Sequence, residues 1–345
     1  MRVVRLTAPR TFEVFEEPQP RVEDDHVLLN IKAVGVCGSD LHRFRGAAFG
    51  DEDNVGIVLG HEFSAIVADV GKSVTNVKPG DRVAVEAANH CGQCEWCLNG
   101  YTNLCLEVKF CGMPGVEGAL KDFMAWPAHL LYKLPAALTF DDGVLAEVMG
   151  IGLFALDLAN MKPGQTAAVL GSGPIGLGVA HLLKRTTGAR MIVATDIIQE
   201  RCHAGFELGA DVTLNAGKVD VGERILDLTH GRGVDVVFEA AGVAQTCEQA
   251  VRIAAPGGTV VLIGIPEDDR IPFAAAPARR KGLTFRFVRR SLNTYPRVLA
   301  MLEKKIIEPQ AMVTHHFSLE ESQQAFELVD RYRDGVLKAV IHVGD

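Results

Sequence analysis

No apolar run in this 345-residue chain approaches the ~20 residues of a membrane-crossing helix, which excludes a helical membrane protein. Nor is there a basic excess. Lys and Arg number 35 against 43 Asp and Glu, a net charge of −8. Phosphate backbones are bound through clustered lysine and arginine, so this balance argues against a nucleic-acid partner. The opening Met1-Arg-Val-Val-Arg-Leu6 meets Thr7, Pro9 and Arg10 before the apolar core of a signal peptide can form. Internal repeats and low-complexity tracts are absent as well. Eight cysteines in such a chain read as thiols and metal ligands, and the expected compartment is a reducing cytoplasm.

What the chain does have is enough apolar content, 48%, for two packed cores, and a length that suits two domains. Its most informative stretch is Cys91-Gly-Gln-Cys94-Glu-Trp-Cys97, followed seven residues later by Cys105. Four thiolates at this spacing suit a closed, tetrahedral structural zinc site with no open position. A disulfide pair fits poorly in a chain without export signals. In an iron–sulfur motif the fourth cysteine comes sooner and precedes a proline, whereas Leu106 follows Cys105. A redox C-x-x-C leaves two cysteines unexplained. A zinc-ribbon module for nucleic acid finds no basic surface, since the nearby charges are Glu95, Glu107 and Lys109.

The chain changes character near residue 150. Before it, short alternating stretches such as Val27–Val34 and Ser64–Val70, punctuated by glycine and proline, predict an antiparallel, barrel-like β domain. After it, strand candidates at 166–170, 191–195, 212–214, 234–240, 259–265 and 283–288 alternate with helical patterns, which predicts a doubly wound parallel sheet. Ser318 with Glu321 reads as a capping box. The last strand, 339–343, has no local partner and is expected to return to the first domain. The expected domains are therefore residues 1–150 with 289–345, and 151–288.

Strand 166–170 runs into Gly171-Ser-Gly173-Pro174-Ile175-Gly176 and a helical run. Gly-x-Gly-x-x-Gly is weak alone; between strand and helix it describes a dinucleotide turn. Gly171 permits the tight turn, Gly173 the approach of a pyrophosphate, and Gly176 close helix–strand packing. The diphosphate then rests on the N–H groups of the helix start. Asp196, twenty residues past Gly176, is placed to bind the ribose hydroxyls. A 2′-phosphate there would meet repulsion on the order of a few kcal/mol, so NAD is expected over NADP. Arg201 is a candidate to cover the ribose or adenine. Ile263, Gly264 and Ile265, at the end of a later strand candidate, are further candidate cofactor contacts.

Cys37-Gly-Ser39-Asp40-Leu-His42 and Gly60-His61-Glu62 stand apart from the four-cysteine lobe. A catalytic zinc takes three protein ligands and keeps one position open. Cys37 and His61 are the first two candidates, and either Glu62 or Glu147 the third. One thiolate, one imidazole and one carboxylate balance the ion's two charges. Singly, such residues are ordinary core packing; their joint occurrence carries the reading.

Taken together, these motifs resemble the zinc-containing medium-chain dehydrogenases, in the sorbitol and threonine dehydrogenase branch. The resemblance spans nearly the whole chain: Gly35–His42, Gly60–Glu62, Lys78–Val83, the cysteine lobe, Gly171–Gly176, Asn293–Pro296 and Thr314–Phe317. It implies an α/β protein with a GroES-like antiparallel β-barrel catalytic domain and a Rossmann domain with a doubly wound parallel sheet. It also implies one catalytic zinc, one structural zinc and NAD. Ser39 would take the alcohol's proton and pass it to His42, and Asp40 would orient His61. Glu62 is the usual resting ligand in this branch. Glu147 stands where relatives keep a carboxylate that ligates, exchanges with water or assists proton transfer, although the family's usual Glu-Pro is Glu147-Val148 here. Homodimers or homotetramers are usual.

The substrate is expected to be a small polyhydroxylated molecule. Arg43, Phe110, Arg289 and Arg290 are candidate pocket residues, and such cationic groups suit a polyol or an acidic or phosphorylated far end. The leading expectation is NAD-dependent oxidation of a secondary alcohol on a polyol or sugar-like substrate. Amino-alcohol oxidation of the threonine 3-dehydrogenase type is the rival, disfavoured by Ser39 where that type has threonine. A redox-silent, cofactor-sensing scaffold is the remote alternative, opposed by the joint presence of Cys37, Ser39, His42, His61 and Glu62.

Overall fold

An antiparallel ribbon of β1 (Arg2–Ala8) and β2 (Thr11–Glu16) comes first in the chain. The computed structural model describes residues 1–46, 56–266 and 270–344. β3 (His26–Gly35) alternates in burial, so Val27, Leu29 and Ile31 share the core face, and beyond a bulge before Ala33 it is Val34 that joins them. There follow α1 (Gly38–Phe44), β4 (Glu62–Val70), β5 (Arg82–Val85), β6 (Ala88–Asn89), the single-turn α2 (Glu95–Leu98), β7 (Lys109–Phe110), β8 (Phe123–Pro127), β9 (Leu131–Lys133) and the 20-residue α3 (Phe140–Ala159).

The next strands alternate with helices: β10 (Thr166–Leu170), α4 (Pro174–Thr186), β11 (Met191–Asp196), α5 (Gln199–Glu207), β12 (Val212–Asn215), α6 (Val221–Leu228), β13 (Val234–Glu239), α7 (Ala244–Ile253), β14 (Ala254–Leu262), α8 (Ala275–Lys281) and β15 (Thr284–Phe287). All five strand pairs are parallel, in the order β12-β11-β10-β13-β14-β15. Numbered from β10, that is 3-2-1-4-5-6, the doubly wound dinucleotide-binding order. β10 is buried along its whole length, as a central parallel strand covered on both faces must be. β14 ends at Leu262, short of the expected 265. Ile263 and Gly264 instead donate their N–H groups to the Glu239 carbonyl, at 2.8 and 3.0 Å, and leave the ladder as a turn.

Last come α9 (Tyr295–Glu303), β16 (Val313–Ser318), α10 (Ser322–Asp330) and β17 (Lys338–His342). The capping box of Ser318 and Glu321 is present, on a 3₁₀ turn that leads into α10. β17 pairs antiparallel with β3, closing the path β16-β17-β3-β4-β5-β9, with β8 also on β3. This sheet is antiparallel apart from the β16–β17 pair, which is parallel.

The chain divides into two units. The first holds Met1–Glu147, Tyr295–Glu303 and the segment from Val313; the second holds Val148–Thr294 and Lys304–Met312. Residues 148–150 and 289–294, which flank the expected second domain, thus cluster with the parallel sheet and not with the first unit, and so do residues 304–312. Hydrogen bonds explain the last of these. Glu308 N–H donates to His181 Nε2 at 2.9 Å, Arg185 donates to the Ile306 carbonyl at 2.7 Å, and Ile307 is fully buried. In the first unit, Phe12, Phe44 and Phe326 pack with ring centroids 4.8–5.4 Å apart. The nearly buried Asp330 carboxylate accepts from Arg45 at 2.5 Å and Arg10 at 2.6 Å. These contacts fix α1 against α10, and α1 carries candidate catalytic residues.

Candidate active site

α1 begins directly after Cys37, which occupies its N-cap position, and it is only two turns long. Ser39 and His42 are three residues apart on it, and so share a face. β4 starts at Glu62 and pairs Glu62 with Gly35 of β3, so the two motifs meet at one end of the sheet. Ser39 Oγ lies 3.3 Å from Cys37 Sγ and 3.4 Å from His61 Nε2. The far nitrogen of His61, Nδ1, is 3.1 Å from Asp40 Oδ1, and both residues are buried. A carboxylate there sets the imidazole's orientation and leaves Nε2 toward Cys37. Phe110 packs on His61 with centroids 5.2 Å apart. His42 is half-buried; Arg43 is buried and directs a guanidinium nitrogen to Met113 Sδ.

Cys37, His61 and Glu62 offer ligand atoms within 4.8 Å of one another; Glu147 stands outside that grouping. Glu62 is fully buried, and an added Cβ at Gly35 would lie 2.2 Å from its Oε2. Only glycine leaves room for that carboxylate. Burial opposes a charge on His61, but Asp40 and Cys37 outweigh it and raise the imidazole well above its usual range. Burial first, and then the charge of Glu62, push the Glu147 carboxyl up to about 7. Asp40 Oδ2 is buried without a partner among the described residues. The donor set of thiolate, imidazole and carboxylate gathered in one buried place suits zinc.

Sequence reasoning missed Lys338. Its Nζ donates to Glu62 Oε1 at 2.9 Å, to Oε2 at 2.6 Å and to the Val36 carbonyl at 3.1 Å, with both side chains 1% exposed. A lysine inside the apolar run Leu337–Ile341 was the available signal.

The four lobe cysteines also bring their sulfurs within 4.8 Å of one another. Cys91 and Cys97 Sγ are 4.0 Å apart, close to the ~3.8 Å edge of a tetrahedron with 2.3 Å zinc–sulfur bonds. Backbone N–H groups of Cys91 and Cys94 point at Cys105 Sγ and Cys91 Sγ, at 3.3 and 3.4 Å. All eight cysteines are free thiols. The residues fit a closed zinc site.

In the second unit, Gly171 has a φ of +95°, and a Cβ on Gly176 would fall 1.8 Å from the Gly171 carbonyl oxygen. At Gly173, by contrast, a Cβ meets nothing nearer than Arg201 Nη1 at 4.0 Å. Pro174 and Ile175 form the first turn of α4 beside that open side, where a pyrophosphate belongs. Asp196 accepts from Ser172 N at 2.9 Å and Ile198 N at 3.0 Å, so it braces the glycine turn as well as carrying charge. Arg201 lies 3.9 Å from it. Gly264 packs on Gly242, where a Cβ would come within 2.2 Å of a backbone nitrogen, while Ile265 is exposed. A second missed residue, the buried Glu239, organises this turn by accepting from Ala241 N, Gly242 N and Thr246 Oγ1 at 2.7–2.9 Å. It closes an apolar strand, which was its signal. Arg289 and Arg290 follow β15 in this unit, Arg290 at a φ of +56°.

Comparison with known proteins agrees with this geometry. The model of the alcohol dehydrogenase GroES-like domain matches residues 23–136, and that of the zinc-binding dehydrogenases matches 174–304. The sorbitol dehydrogenase of Bacillus subtilis is 32% identical, covering 99% of this chain and 97% of its own. L-idonate 5-dehydrogenase of Vitis vinifera is 35% identical over 93% and 89%. An alcohol dehydrogenase of Escherichia coli CFT073, solved with NADH, superposes with a TM-score of 0.92 at 27% identity, covering 99% of each chain. The chain belongs to the zinc-containing medium-chain alcohol dehydrogenases, in the branch that holds the sorbitol dehydrogenases.

Proposed function

We propose that this chain is an NAD-dependent zinc dehydrogenase that oxidises a secondary alcohol of a small polyol or sugar-like substrate. The observation that carries the reading is the Ser39 hydroxyl, set between Cys37 Sγ and His61 Nε2 with Glu62 buried alongside. Zinc, held by Cys37, His61 and Glu62, supplies Lewis acidity toward the substrate hydroxyl, and NAD, held by Gly171–Gly176 and Asp196, supplies the hydride acceptor. The chain's own residues do the rest. Ser39 Oγ accepts the hydroxyl proton and donates its own onward to His42, three residues along α1. Asp40 keeps the His61 ring oriented. Lys338 compensates the buried Glu62 charge, and Glu147 stands by as a further carboxylate. Phe110 offers an apolar wall beside His61.

The relatives' sorbitol and L-idonate activities support a polyhydroxylated substrate. Free thiols throughout support a reducing, cytoplasmic setting. An exposed edge strand, β15, with Phe287 65% exposed, supports a homodimer or homotetramer. NADH formation, followed by absorbance with sorbitol, xylitol, inositol, a sugar acid and threonine, tests the reading. Turnover of threonine alone would favour the amino-alcohol rival; no turnover with NADH binding intact would favour the scaffold.

A further inference from the structure

Thr139 caps α3 with Asp142, not Asp141, as its reciprocal partner. Asp142 Oδ2 accepts from Thr139 N at 2.7 Å and Thr139 Oγ1 at 2.8 Å, and its own N–H donates back to Thr139 Oγ1 at 3.1 Å. Asp141 is turned instead toward two imidazoles. His316 Nε2 lies 2.9 Å from one carboxylate oxygen and His342 Nε2 lies 2.8 Å from the other. The parallel register of β16 and β17 makes this possible. His316 is opposite Val340 and Ser318 opposite His342, so the histidines are diagonal neighbours on the exposed face, their rings 4.9 Å apart.

We propose that Asp141, His316 and His342 form a third metal site, separate from the two the family shares, which takes a borderline divalent transition-metal ion such as zinc. Their ligand atoms lie within 4.8 Å of one another. Bonds of about 2.0–2.2 Å to nitrogen and oxygen separate neighbouring ligand atoms by about 3–3.5 Å, so small side-chain rotations admit an ion. Two imidazoles and one carboxylate without sulfur favour zinc, nickel, cobalt or copper over calcium or magnesium. The helix start of α3 favours the negative charge on Asp141. Both histidines are 50% exposed, which leaves solvent to fill the remaining coordination positions. The grouping of Glu23, Asp25 and His26 has a single imidazole with two exposed carboxylates, and carries no such proposal. An ion at Asp141 would tie the first turn of α3 to β16 and β17, and so stabilise the elements that carry Glu147 and Lys338.

The test uses zinc-replete enzyme, desalted and then dialysed against micromolar zinc. The unsubstituted protein should hold one equivalent of zinc more than a His316→Gln/His342→Gln double variant, by elemental analysis. Added zinc should raise its melting temperature and leave the variant's unmoved. Because the other two sites are filled beforehand and checked by elemental analysis, the difference reports the third. Asp141→Asn, which keeps the side chain's shape, should lose the same equivalent and serves should the double variant fold poorly. Dehydrogenase turnover of the folded variants should match the unsubstituted enzyme. Equal zinc contents, or a zinc-dependent melting shift preserved in either variant, would overturn the proposal.

Discussion

Lys338 and Glu62 show how much one buried pair can decide. Burial works against the ammonium, but Glu62 above all, with Cys37, raises its pKa and keeps it charged. Removing one member of such a pair leaves the other unpaired in the interior, at a cost of about 3–5 kcal/mol. Lys338→Met should therefore lower the unfolding free energy of chelator-treated protein by an amount of that order, seen as a lower midpoint in urea denaturation. An unchanged midpoint would mean that the pair holds nothing together. Cys37, Ser39, Asp40, His61 and Glu62 were legible because each motif is local and its residue types are chemically distinctive. Lys338 was only half legible: a lysine inside an apolar run signals a buried cation, but its partner lies 276 positions away and the run does not name it. Arg43, a candidate pocket residue, is buried with a guanidinium nitrogen on Met113 Sδ.

Single elements make sharper demands than composition suggests. The glycine turn before α4 contains two glycines with opposite constraints, and they are separable by experiment. Gly176→Ala forces a Cβ onto the Gly171 carbonyl oxygen, and should destabilise the second unit by a few kcal/mol, on the order of 1–3 for overpacking. Gly173→Ala should leave the melting temperature nearly unchanged but weaken NADH binding in a fluorescence titration, since its Cβ enters the open side of the turn. Equal effects of the two on stability would contradict this assignment.

At the N-terminal end of β10, Asp235 accepts from Thr166 N and Oγ1 at 2.8 and 2.9 Å and from Arg232 at 2.5 Å. Burial opposes its charge, but Arg232 and Thr166 prevail and hold the carboxyl down at about 2. A folded-state pKa below the unfolded 3.8 gives stability present above that value and lost as pH falls toward 2. Asp235→Asn should thus cost about 1–2 kcal/mol at neutral pH, and the difference should vanish at the acid end of a stability–pH curve. The parallel strands were legible from their unbroken apolar runs. The exit at Ile263 was not, because its cause is hydrogen bonding to the distant Glu239 carbonyl.

Across the molecule, the two family metal groupings divide the labour between chemistry and architecture. Replacing Cys37 with serine should abolish turnover while NADH still binds, because that grouping belongs to the site and not to the scaffold. Replacing Cys94 with serine should release zinc and lower thermal stability, because a closed site contributes folding free energy outright. Calorimetry with zinc analysis checks both, and a fully folded, zinc-replete Cys94 variant would refute the second. The two-unit architecture was legible from the change of pattern near residue 150, and the return of the last strand from its lack of a local partner. The allotment of residues 304–312 to the second unit was not, since it depends on the bonds from His181 and Arg185. One consequence concerns biosynthesis. Lys338 lies on β17, whose partner β3 emerges from the ribosome some three hundred residues earlier. The whole intervening chain, the parallel sheet included, must therefore be made before a cation can stand beside Glu62, and the pocket cannot be completed by the N-terminal segment alone.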